Sequence, residues 1–307
     1  MRKPLADDDS SSLISRLPDE LLLLILNKII DLKTLCTCKL VSKRFSSIVV
    51  QIDSVSLTVS SEFYMDNCNG LLLFSSNRDS FLAARNSIWS FTRLRSLYIH
   101  LYFLNTRSFN FKWKVNISNR FDSFLFVSPI SIYSSEISMQ NEEEEDAELC
   151  LRKKVLIALN CFKDVFSRLT MLLGTYDFPL LEYVSVMDSG NWQNVCFNSS
   201  YKISQFKNLI RSEDAQLKQN LSKNFSRISS CFVSLLKLPV SGYVMKGVAL
   251  ILIDRGDVND ESYIYVDDDK DECFEQDKEA AAYCEAINEI FKKHKGSINR
   301  TSLVRLV

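Results

Sequence analysis

Residues 15–51, SRLPDELLLLILNKIIDLKTLCTCKLVSKRFSSIVVQ, decide the fold at the start of the chain because they hold three short helical patterns. Pro18 suits a first helical turn, and Asp19 and Glu20 suit the positive end of the helix dipole. An apolar face with helical spacing follows at Leu22, Ile25, Leu26 and Ile29. The leucine run is apolar on every side, so we expect this helix to be covered on two sides.

Two further helices are predicted directly after the first. Asp31 can cap a second helix that contains Leu32, Leu35 and Cys38. Ser42 can cap a third helix that contains Phe45, Ile48 and Val49. The stretch therefore predicts a three-helix unit with short connections.

This stretch resembles the F-box family. The resemblance is carried by Leu17-Pro18-Asp19-Glu20-Leu21-Leu22, Ile25-Leu26, Asp31-Leu32-Lys33, Leu35 and Val41-Ser42-Lys43-Arg44-Phe45. It implies a three-helix module that docks on the SKP adaptor, and through it on the cullin, of a Skp-cullin-F-box (SCF) ubiquitin ligase. By this resemblance, the residues that bind the adaptor or support its interface are Leu17, Pro18, Leu21, Leu22, Ile25, Leu35, Val41 and Phe45.

The rest of the chain alternates strand and helix patterns. Strands are predicted at 94–103, 111–118, 121–133, 181–188 and 244–254, and the third of these is expected to be central because it is more continuously apolar. A long helix carries an apolar stripe and stops at Gly174; the stripe is formed by Val155, Leu159, Phe162, Phe166, Leu169 and Leu173. A last helix begins after Asp277 and buries Ala280, Tyr283 or Cys284, Ile287, Ile290 and Phe291. The predicted fold class is α+β, with a three-helix F-box followed by an α/β domain of short strands and helices.

One apolar spacing occurs twice in this second part. Phe91, Leu94, Leu97 and Ile99 have the same spacing as Phe178, Leu181, Val184 and Val186, but the copies begin 87 residues apart. Two explanations stay open. The pattern belongs either to a degenerate layer similar to leucine-rich repeats or to a single α/β sheet that uses one strand pattern twice.

The predicted domain organisation has three parts. Residues 1–12 form a disordered tail, 13–53 the F-box and 54–307 an α/β target-binding domain with acidic loops near 140–148 and 257–279. Those loops are either a recognition surface for a basic target or solvated segments, and composition favours the second reading. The order of elements is also similar to that of a plant group, the auxin up-regulated F-box proteins.

Composition and motifs argue against several other functions. The net charge of −1 does not suit phosphate-driven nucleic-acid binding, and the apolar runs are too short for a membrane span of about 20 residues. Nine irregularly spaced cysteines are typical of reduced thiols, which places the protein in the cytosol or nucleus. Neither His100 nor His294 lies in a catalytic or metal-binding motif, so we expect no enzyme activity, metal or cofactor.

The sequence therefore predicts a substrate-recognition subunit of an SCF-type ubiquitin ligase. The F-box would hold the SKP adaptor while the α/β domain holds a protein target whose identity the residues do not reveal. The alternative is an F-box scaffold that binds the adaptor without promoting degradation of its partner.

Overall fold

A computed structural model describes residues 13–65, 72–76, 78–104, 110–117, 121–134, 146–173, 178–188, 193–211, 227–254, 278–294 and 298–302. The predicted tail at 1–12, Gly174 and Asp277 lie outside these residues, as do most of both acidic loops. Those expectations therefore stay predictions.

The described residues contain seven α-helices and eleven strands after a 3₁₀ turn at Leu13–Arg16. The helices are α1 (Asp19–Leu26), α2 (Leu32–Lys39), α3 (Lys43–Val49), α4 (Arg78–Ile88), α5 (Ala147–Leu173), α6 (Ser200–Arg211) and α7 (Lys278–Lys293). The strands are β1 (Ser54–Met65), β2 (Leu72–Ser76), β3 (Ser96–Leu104), β4 (Lys112–Ile117), β5 (Phe121–Ser128), β6 (Ser131–Ser134), β7 (Tyr183–Asp188), β8 (Gln193–Phe197), β9 (Arg227–Leu238), β10 (Tyr243–Asp254) and β11 (Asn299–Ser302). The α+β class is confirmed.

The three predicted helices at the start of the chain are present, and both predicted caps form. The Asp31 carboxylate accepts hydrogen bonds from the backbone N–H of Thr34 at 2.8 Å and from its hydroxyl at 2.7 Å. The Ser42 hydroxyl accepts one from the backbone N–H of Phe45 at 3.1 Å. These bonds satisfy amides that the first turn of a helix leaves without partners, so they fix where α2 and α3 begin.

The described strands form two sheets, not the single sheet that was one of the two explanations left open for the repeated spacing. The first has the order β2-β1-β3-β7-β8, with β1, β3 and β7 parallel and both outer strands antiparallel. The second has the order β11-β9-β10-β5-β4, all antiparallel, with β6 beside β10. The apolar segment 121–133 divides at Pro129 and Ile130 into β5, which is interior as predicted because it lies between β10 and β4, and β6, which among the described strands pairs with β10 alone.

The repeated apolar spacing lies on two neighbouring strands. Leu97 pairs with Val184 and Ile99 with Val186, so the two copies run parallel and in register on β3 and β7. Each strand follows a helix, as in one unit of a repeat. In the described residues the similarity to leucine-rich repeats is limited to these two helix–strand units, because the strands of the second sheet are antiparallel.

Helix α5 is the centre of the larger core. Five residues of its predicted stripe are buried and Val155 is half-buried. Alternate side chains of β10, among them Ile251, share this core, whereas Leu250 belongs to the second core with α7. The second sheet therefore lies between α5 and α7. In α7, Ala280, Tyr283, Ile287 and Ile290 are buried, as predicted, and Cys284 and Phe291 are half-buried.

A buried ionic cluster joins α5 to β1. The Arg168 guanidinium donates to Asp164 at 2.8 Å and to the Ser61 hydroxyl at 2.7 Å, and both charged side chains are 5% exposed. Ser61 also donates to Asp164 at 3.0 Å. Breaking the pair of Asp164 and Arg168 would leave one charge buried without its partner, which is costly. The cluster therefore fixes α5 against β1.

Among the described helices, none has the length and apolar character that crossing a bilayer requires.

Candidate functional site

Helix α1 has one face in the core and an adjoining apolar face in solvent. Leu22 and Leu26 are 2% and 3% exposed. Leu21, Leu24 and Ile25 are 47%, 62% and 52% exposed although they belong to the same run of leucine and isoleucine. Positions three and four residues apart lie on one side of a helix, so these three side chains form a continuous stripe. Within the described residues, only one side of the helix is therefore covered, not the two that were predicted.

The turn between α2 and α3 exposes two more apolar side chains. Leu40 is 86% exposed and Val41 is 65% exposed. Three residues after Val41, the Arg44 guanidinium donates to the Asp19 carboxylate at 2.7 Å and to the backbone carbonyl of Leu17. Arg44 thus ties the start of α3, just after the exposed turn, to the start of α1, just before the exposed stripe.

The eight residues predicted at the adaptor interface occupy three kinds of position. Pro18, Leu21, Ile25 and Val41 are exposed, and Leu17 and Phe45 are half-buried. Leu22 and Leu35 are buried, so in this structure they support the exposed residues from inside the helical unit and do not reach its surface. That any of the eight contacts an adaptor stays a prediction.

Leu24 and Leu40 belong to this surface but were missed. Leu24 lies one turn after Leu21 in the leucine run, and Leu40 precedes Val41, so helical spacing and chain adjacency could have identified both. We call the exposed set the helical apolar surface; it consists of Pro18, Leu21, Leu24, Ile25, Leu40 and Val41.

The three-helix unit is continuous with the first sheet. Buried residues of all three helices share one core with β1, α4 and β3. The backbone carbonyl of Asp53 accepts from the N–H groups of Arg95 and Ser96 at 2.7 and 2.9 Å. Lys39 on α2 donates to the Ser90 hydroxyl at 2.7 Å and lies 5.7 Å from the centre of the Phe91 ring. These contacts hold the helical apolar surface in a fixed orientation relative to the sheet.

The described residues show no clustered chemistry that competes with this surface. No group of three or more His, Cys, Asp or Glu side chains is arranged to hold a metal ion in the described part of the chain, whose seven cysteines are free thiols. Burial, together with the nearby Asp164 charge, raises the pKa of the Cys161 thiol, and burial raises that of Cys284. A protonated buried thiol is a poor nucleophile. The expected absence of enzyme activity stays a prediction.

Comparison with known proteins agrees with this geometry. Residues 14–55 match the family described as F-box-like. The chain is 38% identical over 73 residues to F-box protein At5g46170 and 45% identical over 56 residues to F-box protein At4g18380, both from Arabidopsis thaliana. These alignments cover 24% and 18% of this chain but only 18% and 15% of the relatives' own lengths. No solved structure matches the chain.

The family match spans all three helices that build the helical apolar surface and ends at the start of β1. The predicted resemblance to the auxin up-regulated group is not confirmed by these matches. Helix order, cap positions and sequence similarity agree, and residues 14–55 of the chain form an F-box-like domain.

Proposed function

We propose that the protein is the substrate-recognition subunit of an SCF-type ubiquitin ligase and that the helical apolar surface binds the SKP adaptor. F-box domains in general bind this adaptor. The observation that carries the proposal is the exposure of Leu21, Leu24 and Ile25 on a helix whose other face is fixed in the core. An adaptor would supply the second covered side that the sequence of α1 calls for.

The energetics of the surface favour a bound partner. Complete burial of one leucine or isoleucine side chain contributes about 1.5–3 kcal/mol, so burying the exposed half of Leu21 or Ile25 contributes about 1 kcal/mol. The more exposed Leu24 and Leu40 have more apolar area to bury. Residues of this kind grouped on one surface are typical of protein interaction sites.

A matched pair of substitutions tests the adaptor assignment. Leu21→Asp places a charge at the centre of the helical apolar surface. Leu156→Asp makes the same change on α5, where the leucine is 46% exposed compared with 47% for Leu21. Binding of each full-length variant to a purified SKP adaptor should fall by about a hundredfold or more for Leu21→Asp, because a desolvated carboxylate costs several kcal/mol, and should be unchanged for Leu156→Asp.

Equal binding by wild type and Leu21→Asp would contradict the adaptor assignment. Circular dichroism spectra identical to wild type would show that the variants are folded. Full-length protein is required because the core of the helical unit continues into β1, α4 and β3.

The second half of the proposal is that the region after the F-box recruits a target for ubiquitination by a separate enzyme. Holding the target near that enzyme accelerates transfer through proximity, so this chain needs no catalytic side chain of its own. We place this activity in the cytosol or nucleus, where reduced thiols are the rule. The half-life of a bound target should lengthen when the chain is removed; an unchanged half-life would support the scaffold alternative.

A further inference from the structure

The two sheets meet along their outermost strands, β4 and β8. These strands lie side by side and form the main direct contact between the sheets, but no backbone ladder joins them within the described residues. Each ladder to its own sheet has a register shift, at Asn116 in β4 and at Asn194 in β8, where Asn194 has no opposite residue on β7. Such irregularities at a sheet edge disfavour pairing with a further strand. We call the contact of β4 with β8 the seam.

A largely buried ion pair connects the two sheets beside the seam. The Lys112 ammonium on β4 donates to the Asp188 carboxylate at the end of β7 at 3.3 Å, and the two side chains are 16% and 11% exposed. Burial, and then the charges of Glu279 and Asp188, raise the pKa of the Tyr283 phenol on α7, so α7 lies close to Asp188. Little water therefore screens this inter-sheet ion pair, which strengthens the attraction between its charges.

Other polar groups of the two strands lack partners. Asn194 is 0% exposed, and neither its amide oxygen nor its amide nitrogen has a hydrogen-bond partner among the described residues. The indole N–H of Trp113 on β4 is also buried without one in this part of the chain. A buried polar atom without a partner is destabilising, because it has lost its hydrogen bonds to water. Separation of β4 from β8 would give Asn194 access to water, whereas the inter-sheet ion pair opposes that separation.

Helix α5 holds the two sheets at separate points. The Lys154 ammonium, which is buried, donates to the backbone carbonyls of Ser128 on β5 at 2.7 Å and Gly247 on β10 at 2.9 Å. Arg168 donates to Ser61 on β1. The two anchors are 14 residues apart on α5, which is about 21 Å at the ordinary helical rise. Each sheet can therefore turn about its own anchor while it stays attached to the helix.

We propose that the seam is a hinge between the two sheets and that the inter-sheet ion pair holds it closed. With the pair formed, the second sheet and α7 keep a fixed angle relative to the first sheet and to the three helices that share its core. When either charge is lost, β4 separates from β8 and the angle varies, while each sheet stays folded. The inference goes beyond the proposed function, because it concerns this chain alone and does not depend on adaptor binding.

Distances between two spin labels, measured by double electron–electron resonance on the full-length protein, test the hinge. The labels are attached to genetically encoded ketone side chains, because nine native cysteines exclude selective labelling of thiols. Thr58 on β1 and Ser234 on β9 are both exposed, and labels at these positions report the angle between the sheets. Labels at Thr58 and at the exposed Arg93 lie on one side of the seam and show whether a variant is folded.

Two variants each remove one charge from the inter-sheet ion pair, Asp188→Asn and Lys112→Met. Glu182→Gln is the control because it removes a different ion pair, that of Glu182 with Arg95 at 3.6 Å, whose side chains are 62% and 51% exposed. Exposed ion pairs contribute little, so this control should behave as wild type does.

We expect a narrow distribution of Thr58–Ser234 distances in wild type and in the control, and a distribution at least about twice as wide in both charge variants. The Thr58–Arg93 distance should stay unchanged throughout. An unchanged Thr58–Ser234 distribution in both charge variants would overturn the proposal. A changed Thr58–Arg93 distance in both would also overturn it, because the ion pair would then hold the fold of the first sheet and not the angle between the sheets. If only one charge variant is misfolded, the other decides.

Discussion

Replacing Phe91 by alanine should destabilise the F-box although residue 91 lies outside it. Phe91 is 2% exposed in the larger core, and its ring lies beside Lys39 of α2. Truncation of a buried phenylalanine to alanine costs about 3–5 kcal/mol. Because the core is continuous, we expect the F-box helices and β3 to lose this much stability alike.

Native-state hydrogen exchange, followed by mass spectrometry, measures the loss in each region separately. A decrease of about 3–5 kcal/mol in the free energy of opening corresponds to exchange faster by roughly two to four orders of magnitude. Peptides that cover α2 and α3 and peptides that cover β3 should accelerate by the same factor. Val240→Ala, at a position 89% exposed in the β9–β10 turn, is the control and should leave both unchanged.

Unchanged exchange in α2 and α3, with faster exchange in β3, would refute this reasoning. The F-box would then be an independently stable module attached to the sheet.

Three further predictions concern local contacts. Asp164→Ala should lower the free energy of unfolding, measured with urea, by about 3–5 kcal/mol because it leaves Arg168 buried without its carboxylate, and adding Arg168→Met should recover most of the loss. The Glu285 carboxylate accepts two backbone N–H bonds, both at 2.7 Å, from the β9–β10 turn, so Glu285→Ala should cost about 1–2 kcal/mol and accelerate exchange in that turn. The hydrogen bond from the Thr34 hydroxyl holds the pKa of Asp31 below its ordinary 3.8, so the ionised cap stabilises α2 above that pH and its contribution is lost as the pH falls through the lowered value. Asp31→Ala should therefore be about 1 kcal/mol less stable than wild type at pH 7, and the difference in thermal unfolding should shrink below pH 3.8.

Local signals in the sequence were sufficient for most of the helices. The caps at Asp31 and Ser42 depend on a side chain that reaches an amide three residues away, so the sequence contains all that is needed to place them. The stripe of α5 repeats over many turns, which makes its buried side clear. The alternation of Val55, Leu57 and Val59 could also have revealed β1, which was missed.

Pairing between strands and the burial of adjacent leucines could not be predicted. Alternation identifies a strand but does not select its neighbour, so the separation into two sheets depends on contacts that are distant in sequence. Leu21 and Leu22 are chemically identical, yet one is 47% exposed and the other 2%. Only the position of the neighbouring helices and sheet decides which of the two is available to a partner.

Titration calorimetry of the full-length protein with a purified SKP adaptor tests the central claim most directly. We predict saturable binding at one adaptor per chain, with a negative heat-capacity change because the helical apolar surface becomes buried. No binding by the folded protein at adaptor concentrations up to about 100 μM, equivalent to less than about 5.5 kcal/mol of binding free energy, would contradict the account.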